Sequence, residues 1–143
     1  MAICGLCFTS KSLREIGSPD NRAFLQCGNC HMVQTNLRLN ESSPGGKRTI
    51  TDRGFVASMK QLIDNLSDIL GDDQDCLDYG CGTVPTLAVL LQETGKRCDY
   101  YDPVFFPQTD IQKQYDVVFG ITCMERAYQP GKVMRAMVDR LKP

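Results

Sequence analysis

The apolar positions along the chain separate a C-terminal part with regular periodicity from an N-terminal part without it. Between residues 54 and 70 the apolar residues recur at the spacing of an amphipathic helix. They are Phe55, Met59, Leu62, Ile63, Leu66, Ile69 and Leu70. Gly71 follows at the position where helices commonly end. We therefore predict a helix over 54–70 that buries one face.

Short apolar runs after Gly71 alternate with helical patterns. Runs of this length that are bounded by polar or turn residues are typical of strands. The predicted strands are 76–79, 97–101 and 115–121. A helix is predicted from Pro85, and we expect it to be buried because residues 87–91 are apolar on all sides. A last helix is predicted over 130–141. This alternation predicts an α/β fold with a parallel sheet that is covered by helices.

Residues 1–40 hold two Cys-x-x-Cys pairs. They are Cys4-Gly5-Leu6-Cys7 and Cys27-Gly28-Asn29-Cys30, and 19 residues separate them. Zinc binds four ligands in a tetrahedron, and thiolates are good ligands for it. Two residues between cysteines let both sulfurs of a tight turn reach one metal. We predict a small zinc ribbon in which these four cysteines hold a Zn2+ ion that is structural, because no coordination position stays open.

Other interpretations of the cysteines are open at this point. His31 follows Cys30, so the second pair also matches the Cys-x-x-Cys-His sequence of c-type haem attachment. His31 could instead replace Cys30 as a metal ligand, or be a plain surface residue. The remaining cysteines are interpreted as small buried apolar residues. They are Cys76, Cys81, Cys98 and Cys123.

The length and composition bound the domain organisation. With 143 residues, the chain has room for one compact domain and a small module. Residues 41–53 are polar and contain Pro44-Gly45-Gly46, a composition typical of linkers. The predicted organisation is a zinc ribbon over 1–40, a linker over 41–53 and an α/β domain over 54–143.

Charge and hydropathy limit the partners that we expect. The N-terminus lacks the basic and apolar regions of a signal peptide, and no apolar run approaches the ~20 residues of a membrane helix. We therefore expect a cytoplasmic chain with reduced cysteines and no membrane partner. The net charge is -1, but residues 1–50 carry six Lys or Arg against three acids, which gives +3 and allows an anionic partner there.

A glycine-rich turn, Asp78-Tyr79-Gly80-Cys81-Gly82, lies between the first predicted strand and the next helix. Glycines let the backbone approach a ligand, and the helix N-terminus favours an anion. Pro85 replaces the third glycine of the dinucleotide fingerprint, which disfavours an NAD-dependent oxidoreductase and favours a smaller anion such as the carboxylate of S-adenosylmethionine. Asp102, which ends the next strand, can accept ribose hydroxyls. Alternatively, the glycines only make a turn and Asp102 caps a loop.

These residues resemble the motifs of class I S-adenosylmethionine-dependent methyltransferases. Residues 77–82 resemble the first motif, and Tyr101-Asp102-Pro103 resembles the second, ribose-binding motif. Residues 115–119, 124–126 and 141–143 resemble the fourth strand, the loop after it and the next turn. With its N-terminal cysteine pairs, the chain is similar to bacterial methyltransferases that carry a zinc ribbon.

The resemblance implies a shortened Rossmann-like methyltransferase domain that binds S-adenosylmethionine. The first motif would line the methionine end of the cofactor, the second would hold the ribose, and the end of the fourth strand would lie near the transferred methyl group. The implied cofactor-binding residues are Asp78, Gly80, Gly82, Asp102 and Thr122.

Three departures from the family pattern affect these expectations. Twelve residues between Asp102 and Tyr115 are too few for the usual helix, strand and helix, so the third strand and part of the adenine pocket are expected to be missing. Glu125-Arg126 replaces a Glu-His pair, which leaves Glu125 and Tyr128 as candidate catalytic residues. The family's Gly-Gly turn and last strands would begin near Pro143, so we expect a C-terminally truncated form.

Two functional hypotheses result. The first is an enzyme that transfers a methyl group from S-adenosylmethionine to an unidentified acceptor, which would be a small molecule, a sugar or a macromolecule. The alternative is a zinc-ribbon module that binds nucleic acid or protein and carries a degenerate, inactive methyltransferase scaffold. The ribbon has few aromatic residues, Phe8 and Phe24, which argues against a surface that stacks bases.

Overall fold

The computed structural model describes residues 3–10, 13–35, 52–108 and 112–143. The chain divides into two compact units. The first lies within residues 1–43 and also contains 124–135, and the second lies within 44–123 and also contains 136–143. The predicted linker over 41–53 falls almost entirely outside the described residues, so the predicted boundaries of the domains stay a prediction.

The first unit contains a three-stranded antiparallel sheet in the order β1-β2-β3. Its strands are β1 Leu13–Gly17, β2 Phe24–Cys27 and β3 Val33–Thr35. The first 3-10 turn, Pro19–Asn21, connects β1 to β2, and an irregularity between Glu15 and Gly17 shifts the register of their pairing. These short strands join the two cysteine turns, as the spacing of the pairs predicts.

The second unit contains a parallel sheet in the order β5-β4-β6, as the strand–helix–strand alternation predicts. Its elements are α1 Arg53–Leu66, β4 Asp75–Tyr79, α2 Thr86–Glu93, β5 Arg97–Tyr101 and β6 Val117–Phe119. A second 3-10 turn, Met124–Arg126, and α3 Pro130–Val138 follow in the chain; the turn and the first six residues of α3 belong to the first unit. Since the three strands are parallel, their carboxyl ends meet at one edge of the sheet.

The helix predicted over 54–70 ends four residues early. Asp52 begins α1, because its side chain accepts the Phe55 amide at 3.1 Å. At the other end the Ser67 hydroxyl donates to the Asp64 carbonyl at 2.8 Å, and the chain leaves the helix in a turn that buries Leu70. The same turn leaves Ile69 70% exposed, so the apolar pattern of the sequence continues past the end of the helix at Leu66.

The core of the second unit lies between the helices and the sheet. Its buried residues are Met59, Leu70, Cys76, Leu87, Ala88, Leu90, Leu91, Cys98 and Phe119. The predicted burial of α2 is therefore confirmed, as is the burial of Cys76 and Cys98. Cys81 and Cys123 are only half-buried, because both lie in turns at the carboxyl edge of the sheet rather than inside strands.

The last strand and helix are shorter than predicted. Of the strand predicted over 115–121, only Val117–Phe119 pairs with β4. Tyr115 instead forms an isolated parallel bridge with Leu141, which lies beyond the end of α3 at Val138. Tyr115 is 1% exposed, so this bridge is buried at the amino end of β6.

The amino edge of the parallel sheet carries ion pairs. Asp75 contacts Arg97 at 2.8 Å, and the Asp116 carboxylate accepts from Lys142 at 2.8 Å. Exposed pairs of this kind contribute little stability. The two edges of the sheet thus differ, since the glycine turn lies at the carboxyl edge.

Within the described ranges, no helix has both the length and the apolar character needed to cross a membrane.

Leu91→Ala tests the core assignment. Leu91 is fully buried, so its truncation should lower the free energy of unfolding by about 2–5 kcal/mol. Ile69→Ala is the matched control, because Ile69 is 70% exposed, and it should change this free energy by less than about 0.5 kcal/mol. Urea unfolding of both variants measures the difference. Equal losses in the two variants would contradict the assignment.

Candidate metal and cofactor sites

The two cysteine pairs form turns of the same shape. In each turn the residue after the second cysteine donates its amide to the carbonyl of the first. Phe8 donates to Cys4 at 3.0 Å, and His31 donates to Cys27 at 2.9 Å. The amides of Cys4 and Cys27 in turn donate to the carbonyls of Thr9 and Met32. The first cysteine of each pair is thus fixed through both of its backbone polar groups.

Phe8 and His31 occupy the left-handed region, with φ of 57° and 61°. That region favours glycine, so both side chains add strain that the turn must hold. His31 is exposed and is not part of the metal-ligand cluster found among the described residues. Of the three interpretations of His31, the structure therefore supports a surface residue.

The four cysteine sulfurs have the spacing of a metal site. The Sγ atoms of Cys4 and Cys30 are 3.6 Å apart, those of Cys7 and Cys27 are 3.7 Å apart, and all four lie within 4.8 Å of one another. At a zinc–sulfur distance of about 2.3 Å, the sulfurs of a tetrahedron lie about 3.8 Å apart. A disulfide would need about 2.05 Å. The four side chains therefore fit a tetrahedral metal ion, and all are free cysteines.

The thiols of this cluster also differ in acidity. The hydrogen bond from the Asn29 side chain lowers the pKa of Cys7 to about 6. At Cys30 the Met32 amide acts in the same direction, but burial and the three neighbouring thiols outweigh it and raise the pKa to about 12. Four crowded thiols cannot all ionise without a cation. The arrangement therefore favours a bound metal, which would neutralise the thiolates.

The glycine turn after β4 is held against the end of β5. The amides of Gly80 and Cys81 donate to the Tyr101 carbonyl at 2.7 and 3.2 Å. Gly80 and Gly82 have φ of 75° and 74°, which a side chain would strain. A Cβ atom at Gly80 would lie 2.7 Å from the Cβ of Cys123, whereas a Cβ at Gly82 would meet nothing within 4 Å. The turn is therefore tightly packed at Gly80 and open at Gly82.

Asp102 links this turn to the chain after β5. One carboxylate oxygen accepts the Gly82 amide at 2.9 Å, and the other accepts the amides of Val104 and Phe105 at 2.9 and 3.1 Å. Asp102 is 8% exposed. The link follows from the parallel pairing of β4 with β5, in which Tyr79 lies opposite Tyr101. Asp102 therefore caps its own loop and contacts the glycine turn at the same time.

Asp78 is a buried carboxyl at the end of β4. It is 3% exposed, and burial raises its pKa to about 7, although the Ala88 amide acts against this shift. Ala88 is the third residue of α2, and Pro85 before the helix offers no side-chain acceptor. Asp78, at the end of β4, thus acts as the N-terminal side-chain cap of α2, which the residue before the helix cannot provide. Asp102 adds a repulsion that raises the pKa of Asp78 further.

Thr86, which the sequence interpretation did not select, is the first residue of α2, the helix whose Ala88 amide bonds to Asp78. It is 3% exposed, and its Oγ1 has no hydrogen-bond partner among the described residues. An unpaired buried hydroxyl is costly unless a ligand or water satisfies it. The signal available in the sequence was a hydroxyl at the start of a helix that is otherwise apolar.

The remaining predicted site residues lie after β6. Thr122 has φ of 54°, which is unusual for a β-branched residue, and unusual backbone of this kind often marks functional sites. It belongs to the same unit as the glycine turn and Asp102. Glu125 and Tyr128 belong to the other unit. Both are exposed, Tyr128 by 42%. The structure thus collects the predicted cofactor-binding residues in one unit and the candidate catalytic residues in the other.

The fold and these sites define a class of protein that combines a four-cysteine metal-ligand cluster with a parallel α/β unit. A family model described as a methyltransferase domain matches residues 52–143. The match covers more than half of the chain, and the chain belongs to this family of class I methyltransferases. None of the curated proteins matches the chain at a significant level.

Metal content tests the four-cysteine site. After loading with zinc and dialysis, the chain should hold one metal ion, as measured by mass spectrometry of the metal. Cys27→Ser removes one of the clustered sulfurs and should lower the retained zinc at least tenfold. Cys98→Ser is the control, because Cys98 is an equally buried thiol in β5, and it should retain the metal. Equal retention by both variants would argue against the site.

The titration of Asp78 gives a pH-dependent prediction. Between about pH 4 and 7 the folded chain keeps a proton that the unfolded chain has released, because the pKa is about 7 rather than 3.8. The free energy of unfolding therefore falls as pH rises through this window. Asp78→Asn, whose carbonyl can still accept the Ala88 amide, should lack this loss and gain on the order of 4 kcal/mol over the parent at pH 8 relative to pH 4.

Asp116→Asn is the control of opposite sign for this titration. The hydrogen bond from Lys142 lowers the pKa of Asp116, so its contribution is present above its ordinary value of 3.8 and is lost as pH falls below it. Urea unfolding at several pH values distinguishes the two variants. A parallel pH dependence of Asp78→Asn and the parent between pH 4 and 7 would disprove the assignment.

Proposed function

We propose that the chain is a methyltransferase that uses S-adenosylmethionine, bound at the carboxyl edge of the β5-β4-β6 sheet. The observation that carries the proposal is the hydrogen bond between Asp102 and the Gly82 amide. It places an acid suited to ribose directly beside a glycine turn that is open at Gly82. Membership of a methyltransferase family makes methyl transfer the general chemistry, and S-adenosylmethionine is the donor that this chemistry typically uses.

The residues present fit this cofactor. A carboxylate offers about four acceptor positions, and three amides use three of those on Asp102. The position that is left lies on the oxygen that accepts the Gly82 amide, so one ribose hydroxyl can bind there and a second would have to compete with one of the amides. The open side of Gly82 leaves room for a ligand to approach the backbone. Binding of the ribose is therefore expected to perturb the Gly82 amide.

The methionine end of the cofactor carries an ammonium and a carboxylate. Asp78 is the candidate partner for the ammonium, and a nearby cation would lower its raised pKa and keep it ionised. The Thr86 hydroxyl is the candidate donor for the carboxylate, because it is buried without a partner at the start of α2. These two roles would explain why the fold buries a carboxyl with a raised pKa and a hydroxyl without a hydrogen-bond partner.

The bound cofactor would supply an activated methyl group for an in-line displacement. The chain's own residues then align the acceptor and exclude water. A base is needed only where the acceptor must lose a proton, and Glu125 and Tyr128 are the candidates in the segment after β6. The acceptor is proposed to be a small molecule, a sugar or a macromolecule.

We further propose that the metal of the four-cysteine site is zinc and that its role is structural. Four thiolates close the tetrahedron, so no position is left for a water or a substrate. A metal would supply stability that the first unit lacks, because its buried residues are few: Cys4, Gly5, Cys27, Gln34, Pro130 and Gly131 among those described.

Calorimetry with S-adenosylmethionine and S-adenosylhomocysteine tests the proposal. The chain should bind both, and Asp102→Asn should weaken binding about 10- to 100-fold, because an amide nitrogen replaces an oxygen that must accept a hydrogen bond. Asp99→Asn is the matched control, since Asp99 lies on the same strand but is paired with Lys113 away from the glycine turn. Its affinity should be unchanged.

A parent chain that binds neither compound would remove the proposed enzyme function. It would favour the alternative of a ribbon that binds nucleic acid or protein beside an inactive scaffold. Equal affinities of Asp102→Asn and Asp99→Asn would instead reject the role of Asp102 in holding the ribose.

A further inference from the structure

The first cysteine turn is in direct contact with the first turn of α3. The Gly131 amide donates to the Gly5 carbonyl at 2.9 Å, and both residues are buried. Gly131 is the second residue of α3, a position whose amide has no partner inside its own helix. The cysteine turn therefore provides a hydrogen bond that α3 cannot make for itself.

The two backbones approach so closely that only glycine fits at position 131. A Cβ atom there would lie 2.1 Å from the Leu6 carbonyl oxygen and 3.0 Å from the Phe8 ring. The nearer atom belongs to the backbone and cannot rotate away. Glycine is a poor residue for a helix, so its presence near the start of α3 is explained by this contact rather than by helix formation.

The same turn is bonded on its other side to β3. The Gly5 amide donates to Gln34 Oε1 at 2.8 Å, and Gln34 Nε2 donates to the Ile3 carbonyl at 3.3 Å. Gln34 is 9% exposed. The peptide groups of the first cysteine turn thus bond to β3 on one side and to α3 on the other. A change in the shape of this turn would therefore move the groups that bond to α3.

The shape of the first cysteine turn depends on where the sulfurs at its two ends are held. Cys4 and Cys7 are the two ends of the turn, and their sulfurs lie within 4.8 Å of those of Cys27 and Cys30. A metal ion bound by the four sulfurs would fix the distance between the two ends. Without it, the crowded thiols have no cation to hold them together. Metal binding would therefore fix the position of the Gly5 carbonyl, which accepts the Gly131 amide.

The chain segment before Gly131 carries the candidate catalytic residues. The Ala127 amide donates to the Met124 carbonyl at 3.2 Å, and the Gln129 carbonyl accepts the amides of Lys132 and Val133 at 3.0 and 3.2 Å. These bonds are local and shape the segment. The Gly5–Gly131 hydrogen bond joins the end of the segment to the first cysteine turn.

We propose that the four-cysteine site controls the segment 124–131, which carries Glu125 and Tyr128, through the contact between its first turn and Gly131. The metal then has a second role beside stabilising the ribbon, because it sets the position of the residues that would meet the methyl acceptor. That last step rests on the proposed function, whereas the coupling between the metal and the segment does not.

A coupling of this kind is reciprocal. If the metal stabilises the contact at Gly131, then a change at Gly131 must weaken metal binding by the same factor, although Gly131 is not one of the four clustered cysteines. Gly131→Ala leaves all four cysteines in place but inserts a methyl group against the Leu6 carbonyl. It therefore separates the contact from the metal site itself.

Amide hydrogen exchange of the full chain tests the proposal. Peptides covering 124–133 should exchange at least tenfold faster after zinc is removed with a chelator, and equally fast in zinc-loaded Gly131→Ala. Peptides covering β4 and β5 should not change in either case. Zinc affinity, measured by competition with a chromophoric chelator, should fall about tenfold in Gly131→Ala.

Gly54→Ala is the matched control. Gly54 is also the second residue of a helix, α1, and a Cβ atom there would lie 3.5 Å from the Asp52 side chain. The variant should keep the zinc affinity and the exchange rates of the parent. A fall in zinc affinity in Gly54→Ala equal to that in Gly131→Ala would overturn the proposal, because the effect would then follow from any such substitution.

Three further results would overturn the coupling. They are equal exchange of residues 124–133 with and without zinc, unchanged zinc affinity in Gly131→Ala, and loss of protection in β4 and β5 to the same extent as in 124–133. Binding of S-adenosylmethionine, measured on the same preparations, reports separately on the proposed function. A chain that binds no cofactor but shows zinc-dependent exchange would support the coupling and remove the enzyme interpretation.

Discussion

The parallel pairing of β4 with β5 is the constraint on which the candidate cofactor site depends. It brings two strand ends together, so that the glycine turn and Asp102 become neighbours although 19 residues separate Gly82 from Asp102. The Asp102 carboxylate then accepts the Gly82 amide and closes the pair. Without this pairing, the glycine turn and Asp102 would lie too far apart to bind the same ligand.

The two units of the chain obtain their stability from different sources. The second has an apolar core in which α2 is buried and Leu91 is inaccessible to water. The first has short strands and few buried residues, and its most buried side chains are Cys4 and Cys27. A metal ion bound by its ligand cluster would stabilise such a unit, since small modules rarely bury enough apolar surface to be stable alone. The proposed metal would thus have in the first unit the role that the core has in the second.

Local patterns predicted most of the elements, and long-range contacts account for most of what they missed. The strand over 97–101 and the buried helix from Pro85 follow from runs of neighbouring residues, as do the cysteine turns. Ile69 does not, because its exposure depends on a turn that the Ser67 hydroxyl closes. The sequence also could not show that Thr86 lacks a partner or that Gly131 meets Leu6, since both depend on residues far away in the chain. A glycine inside a predicted helix was the available sign of close approach.

The shortened sheet explains why one carboxylate has so many partners. The predicted loss of the third strand leaves β5 with β4 as its single neighbour in the described part of the sheet. A strand edge of this kind needs its own means of closure. After β5 the chain folds back, the Phe106 amide donates to the Asp102 carbonyl at 2.9 Å, and the Phe106 ring packs against Tyr100 with centroids 4.9 Å apart. Asp102 completes this turn with its side chain, so the residue proposed to hold the ribose also closes the edge of β5 that has no neighbouring strand in the described part of the sheet.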